Sequence, residues 1–109
     1  MGIFSKLFGK HDESAFPFAD SENLATITCR HVMNDNKPIL LVSHDLEDGM
    51  WQFLCGSNSH DEADAMVVAL SEVYYHDMSV GAIRGLPPGS IAERDSIDSD
   101  WHVYNVVEE

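Results

Sequence analysis

Residues 38–55, PILLVSHDLEDGMWQFLC, consist of two apolar runs that flank an acidic turn. The continuous apolar run at 39–42 is typical of a buried strand, and Pro38 is tolerated where such a strand begins. Residues 50–55 alternate with the two-residue period of a second strand. Gly49, between the two runs, can adopt a positive φ. The stretch therefore predicts a β-hairpin, and the rest of the domain is expected to assemble around it.

The segment after this hairpin carries the start signal of a helix. Ser59-His60-Asp61-Glu62 has the spacing of a capping box, in which the Ser59 hydroxyl and the Glu62 side chain satisfy each other's backbone amides. Apolar residues then recur at three- and four-residue spacing. They are Ala63, Met66, Val67, Leu70, Val73 and Tyr74. We therefore expect one helix from Ser59 to about residue 77.

The remaining sequence predicts short strands around the hairpin. Residues 24–30 alternate like a strand, and 91–92 and 101–103 read as two more. The fold class expected is α+β, with an antiparallel sheet of about four to five strands and one main helix packed on one face. Residues 1–23 are expected to be a leader, with the spacing of a short amphipathic helix, and a linker, while residues 24–109 form a single domain.

Charge restricts the classes of partner. The chain of 109 residues has a formal net charge of -13, and all 19 acidic residues lie beyond residue 10, together with only four of the six bases. Such a surface repels phosphate backbones, so no nucleic-acid binding is expected, whereas a basic protein partner would be attracted. The plain alternative is that the acid only keeps the protein soluble.

The sequence also predicts the compartment. No apolar run reaches the length of a membrane span, so no stable membrane insertion is expected. The short apolar run at the N-terminus does not make a secretory signal, and the expected location is the cytoplasm. In that reducing compartment Cys29 and Cys55 are expected to be thiols.

Five residues are of types that bind zinc, and they fall on adjacent predicted strands and the next helix start. They are Cys29, His31, His44, Cys55 and His60. Cys29 and His31 are one residue apart and would share a sheet face, but no second pair repeats that spacing. The favoured expectation is therefore no metal and no cofactor, with Cys29, His31, Cys55 and His60 kept as the candidate ligands.

Catalysis is not favoured by the sequence. Cys55 and His60 could form a Cys–His pair, but no orienting third group or oxyanion hole is evident. The chain also lacks a nucleophile-elbow motif, a phosphate-binding glycine loop and a His-Glu-x-x-His motif. We expect a protein that is not an enzyme.

The acidic hairpin tip is the candidate surface for a protein partner. Its residues are His44, Asp45, Glu47, Asp48 and the neighbouring Trp51. Carboxylates in this arrangement would complement a basic partner, whereas the plain interpretation is a solvated turn with Trp51 as a core residue.

Residues 42–56, VSHDLEDGMWQFLCG, resemble a family of small bacterial proteins, the domain-of-unknown-function family numbered 2185. Leu86-Pro87-Pro88-Gly89, Arg94 and Trp101 are also similar to the pattern of that family, so the resemblance covers roughly residues 25–104. Ser90 and Glu93 depart from it, because the family often carries aromatic residues there. Relatives of this family include predicted immunity proteins of polymorphic-toxin systems. The resemblance therefore implies an immunity-type module, and the acidic charge of the chain implies that the partner it neutralises is basic.

Three functional hypotheses follow from the sequence. The favoured one is the immunity-type protein-binding module. The second is a zinc-binding or cysteine-dependent domain that uses the Cys and His candidates. The third is a structural or regulatory domain that forms a homodimer through a sheet edge or an aromatic patch.

Overall fold

The computed structural model describes residues 16–56 and 62–105, and this part of the chain contains a six-stranded sheet. Its strands are β1 Ala25–Cys29, β2 Leu41–His44, β3 Trp51–Leu54, β4 Ala65–Ala69, β5 Ser90–Glu93 and β6 His102–Asn105. The helices are α1 Arg30–Met33 and α2 Leu70–His76, with 3₁₀ segments at Glu62–Asp64 and Met78–Ile83. The spatial order is β4-β1-β3-β2-β5-β6, with β1 and β3 parallel and the other neighbours antiparallel.

The α+β class is confirmed, but the sheet differs from the expected one. It has six strands within the described residues instead of four to five, and the β1–β3 pair makes it a mixed sheet. The central hairpin has the expected form, since β2 pairs antiparallel with β3 from Leu41–Leu54 to His44–Trp51. Gly49 has φ +72°, a conformation that glycine adopts without strain.

The expected long helix is largely a strand. Ser59, His60 and Asp61 of the capping box lie outside the described residues, and residues 65–69 form β4, which pairs with all five residues of β1. β4 contains adjacent β-branched residues that suit a pleated strand, and β1 offers a partner for its backbone groups. The helical part of the pattern begins only at Leu70, where Leu70, Val73 and Tyr74 are the buried face of α2.

One face of the sheet packs against the hydrophobic core. Register places Thr28, Phe53, Val42 and Ala92 in one row on this face, and all four are buried. The core also includes two residues of the expected linker, Phe16 and Phe18. Phe16 packs edge-on against Tyr74 at 5.7 Å and Phe18 against Trp51 at 5.4 Å, between ring centroids. Packed structure therefore extends N-terminal of residue 24.

The opposite face, which we term the open sheet face, carries an uncharged row across all six strands. In register order the row is Val67, Ile27, Gln52, Ser43, Ile91 and Tyr104. Its ends are exposed, Val67 by 70% and Tyr104 by 44%, and its centre is half-buried. This face is therefore less covered than the core face.

Arg94 joins the end of β5 to the C-terminal end of α2. Its Nη2 lies 3.3 Å from Asp77 Oδ2, and its Nε donates to the Ile39 carbonyl at 2.9 Å. The guanidinium also lies 4.1 Å from the centre of the Trp101 ring, a cation–π contact. Burial lowers the pKa of Arg94, and the neighbouring Asp77 opposes that change by favouring the charged form.

Candidate metal centre

The parallel pairing of β1 and β3 brings the two cysteines to one edge of the sheet. Thr28 lies opposite Phe53, so both strands end on the same side. Cys29 is the last residue of β1, and Cys55 directly follows β3. The parallel pair, which differs from the antiparallel sheet expected from the sequence, therefore places these thiols together.

His31 reaches the same edge through α1. The helix begins immediately after β1, and His31 is its second residue. The expected placement of Cys29 and His31 on one sheet face is wrong, since the strand ends at Cys29. The change from strand to helix after Cys29 nevertheless leaves the two side chains close to each other.

Cys29, His31 and Cys55 bring three potential metal-ligating atoms together. One sulfur or ring-nitrogen atom from each residue lies within 4.8 Å of the others. Cys55 Sγ is 3.8 Å from His31 Nδ1. Tetrahedral zinc, with bonds of about 2.0–2.3 Å, separates its ligand atoms by roughly 3.3–3.8 Å. The three side chains therefore need to close by about 1 Å or less to share one ion.

Burial differs among the three side chains. Cys29 is 1% exposed, whereas His31 and Cys55 are half-buried. Two thiols and an imidazole are the donor set that zinc prefers, and zinc binding deprotonates the thiols. The same Cys55–His31 contact also fits an S–H···N hydrogen bond, so the metal site must be tested by binding.

The elements that carry these residues are fixed by neighbouring polar contacts. Thr28 Oγ1 donates to the Phe53 carbonyl at 2.6 Å, which joins β1 to β3 beside the cluster. Arg30 Nε donates to Asp64 Oδ1 at 2.7 Å, which joins α1 to the residue before β4. Asp64 could not be predicted from the sequence, because it resembles any other acid in so acidic a chain. These two contacts hold β1, β3 and α1 in place beside the cluster.

Of the other two candidate ligands, the structure describes only His44, which lies outside the cluster. His60 lies outside the described residues. The His44 ring stacks on Trp51 at 4.0 Å, and its Nδ1 is 2.7 Å from the Leu86 carbonyl oxygen. Because a carbonyl only accepts, this nitrogen is the donor, and His44 ties the hairpin to the corner at Leu86.

The expected partner surface at the hairpin is only partly available. Trp51 is 1% exposed and donates from Nε1 to Asp20 Oδ2 at 3.0 Å, so it is a core residue and its expected contact role is wrong. Asp45, Glu47 and Asp48 are exposed. Asp45 Oδ1 accepts from the Glu47 amide at 2.8 Å, so part of this acidic cluster serves to shape the turn.

The chain matches no protein-family model, no curated protein and no solved structure. No helix within residues 16–56 and 62–105 combines the length and the apolar character needed to cross a membrane. Its function must therefore be argued from the cluster and the surfaces described above.

Proposed function

We propose that this chain is a zinc-binding domain in which Cys29, His31 and Cys55 hold one Zn²⁺. The observation that carries the proposal is the convergence of these three side chains within 4.8 Å. They come from a strand end, a helix and a second strand end, so their proximity is a product of the fold.

The donor atoms favour zinc over other common cations. Calcium and magnesium prefer oxygen ligands, whereas thiolate and imidazole suit zinc. An ion at this position would link the β1–α1 junction to the end of β3, and three protein ligands leave the fourth tetrahedral position to a further donor. The expected role of the ion is therefore structural: it would hold the ends of β1 and β3 together.

Metal content of the untagged full chain tests this proposal. We expect about one Zn²⁺ per chain, and Cys29→Ser, His31→Ala and Cys55→Ser should each weaken binding at least tenfold, because each removes one ligand. Inductively coupled plasma mass spectrometry and competition with a chromogenic chelator measure both quantities. The Co²⁺-loaded protein should also show thiolate-to-metal charge-transfer absorption that falls in each cysteine variant.

The matched control is His76→Ala, which removes an exposed histidine at the end of α2. It should bind zinc like the parent chain, and His60→Ala tests the remaining candidate from the sequence. Trace zinc in the parent chain, with the same content in the three ligand variants, would contradict the proposal.

A second candidate function is an immunity-type protein-binding module that neutralises a basic partner. The open sheet face favours it, because an uncharged row runs from Val67 to Tyr104 across a chain with a net charge of -13. From ideal strand spacings this face covers roughly 300–400 Å², less than the ~800 Å² per partner of a standard interface. Contacts with the acidic surroundings would have to complete the interface, which favours a basic partner over a second copy.

Binding to the product of the adjacent gene tests the second candidate. Val67→Lys places a cation on the open sheet face and should weaken association at least tenfold, since a basic partner would meet a like charge. Ile97→Lys is the matched control, because Ile97 is also exposed, at 48%, and lies outside that face. Isothermal titration calorimetry measures both affinities. Failure of the parent chain to bind that product, or equal weakening by both variants, would count against the module.

A further inference from the structure

We propose that Cys29 and Cys55 are a redox-active pair that closes into an intramolecular disulfide when a peroxide oxidises it, with release of the bound metal. The metal release rests on the zinc-binding proposal, whereas the disulfide rests on the geometry of the two thiols alone. The pair would make the metal centre sensitive to oxidants.

The two thiols are placed for direct bonding. Neither cysteine is in a disulfide, and the cluster places their sulfur atoms within 4.8 Å of each other. The β1–β3 register puts Cys55 one residue beyond the level of Cys29 on the neighbouring strand. Ideal spacings of ~4.8 Å between strands and ~3.3 Å along them then give a Cα separation of about 6 Å. Disulfides bridge Cα separations of roughly 4.4–6.8 Å, so this separation is suitable, and rotation of the two side chains has to bring the sulfur atoms to the ~2.05 Å of an S–S bond.

The difference in burial sets the order of the chemistry. Cys55 is half-buried, whereas Cys29 is 1% exposed, so a small oxidant meets Cys55 first. The Cys55 thiolate attacks hydrogen peroxide, an S–O bond forms, the O–O bond breaks, and the leaving hydroxide takes up a proton to become water. Cys55 is then a sulfenic acid.

Cys29 completes the reaction as the resolving thiol. Its thiolate attacks the Cys55 sulfur, the S–S bond forms, the S–O bond breaks, and the hydroxide that leaves is protonated to a second water. Two thiolates have lost two electrons, and the peroxide has gained two electrons and two protons. Both sulfurs have lost their negative charge, so His31 is the one described ligand that remains and the ion dissociates.

The outcome is specific to a pair of cysteines. A solitary half-exposed thiol would proceed to sulfinic and sulfonic acids, whereas a nearby resolving thiol diverts the sulfenic acid to a reversible disulfide. The new covalent bond would join the same ends of β1 and β3 that the metal would join. The two strand ends would therefore stay linked although the metal site is lost.

Peroxide treatment of the zinc-loaded full chain tests the inference. Intact-mass spectrometry should show a loss of about 2 Da, with one Zn²⁺ released per disulfide and full recovery on reduction. A chromogenic zinc indicator follows the release, and peptide mapping without reductant should show Cys29 joined to Cys55.

Variants and the metal-free chain separate this inference from the zinc-binding proposal. Cys29→Ser should replace the ~2 Da loss by a gain of about 32 or 48 Da on Cys55, since no resolving thiol remains. A gain of about 32 or 48 Da in the parent chain, or disulfides that form only between chains, would overturn the proposal of an intramolecular Cys29–Cys55 disulfide. If the parent chain forms the disulfide but binds no zinc, the redox-active pair is supported and the zinc-binding proposal is overturned.

Discussion

Stripping the metal from the full chain should lower its thermal midpoint by roughly 15–25 °C relative to the zinc-loaded protein, when free Zn²⁺ in the loaded sample is held near 1,000 times its Kd. A ligand that binds only the folded state at that saturation stabilises by about 4 kcal/mol. For a domain of this size, each 1 kcal/mol moves the midpoint by several degrees. Differential scanning calorimetry with and without a chelator measures the shift.

The physical reason lies in the position of the site. Cys29, His31 and Cys55 belong to two segments that are far apart in the sequence and meet only in the folded sheet. The unfolded chain cannot assemble these ligands, so metal binding free energy adds to folding free energy. At the same free Zn²⁺, Cys29→Ser binds at least tenfold more weakly and should therefore show at most about two-thirds of the parent shift, whereas His76→Ala should keep the full shift. If a chelator leaves the thermal midpoint of the zinc-loaded parent chain unchanged, the metal does not stabilise the fold and the structural role is contradicted.

Replacing Arg94 with Met should reduce the free energy of unfolding by about 3–5 kcal/mol. The Arg94 side chain is 2% exposed and that of its partner Asp77 is 11% exposed, so the ion pair is almost wholly removed from water. Met keeps the unbranched, largely apolar stem but leaves the Asp77 carboxylate buried without its cation. The Ile39 carbonyl and the Trp101 ring lose their contacts with the guanidinium as well.

Urea denaturation of matched variants measures this effect. Arg84→Met is the control, because Arg84 is an exposed arginine whose Nη1 donates to the Gly81 carbonyl at 2.9 Å, and its loss should cost about 1 kcal/mol or less. The double variant Arg94→Met, Asp77→Asn should recover part of the loss, since no buried charge is left unpaired. Equal losses in Arg94→Met and Arg84→Met would show that burial of the ion pair is not decisive.

The fold could be predicted where local pattern and tertiary partner agree. The β2–β3 hairpin follows from its two apolar runs and Gly49, and it has the expected antiparallel register. β4 could not be predicted in this way, because its apolar residues also match a helical stripe when read without β1. Pairing with β1 decided between the two readings.

The candidate metal centre was only half visible in the sequence. Cys29, His31 and Cys55 are evident as ligand types, but their spacing matches no standard zinc motif. Their convergence depends on β1 and β3 being parallel neighbours, and nothing in the spacing of two cysteines 26 residues apart specifies that pairing. Trp51 is a different case, since the sequence left both a contact at the acidic turn and a core position open for it, and the structure buries it.

The sequence by itself determined the chemistry available to this protein: two thiols, an acidic surface, one strong hairpin and the apolar face of α2. Only the tertiary structure decided which of these residues meet. Local pattern sets strand and helix preferences over a few residues, whereas the order of strands in a sheet is set by burial and backbone pairing of the whole chain. That order places β1 beside β3, and with it Cys29 and His31 beside Cys55.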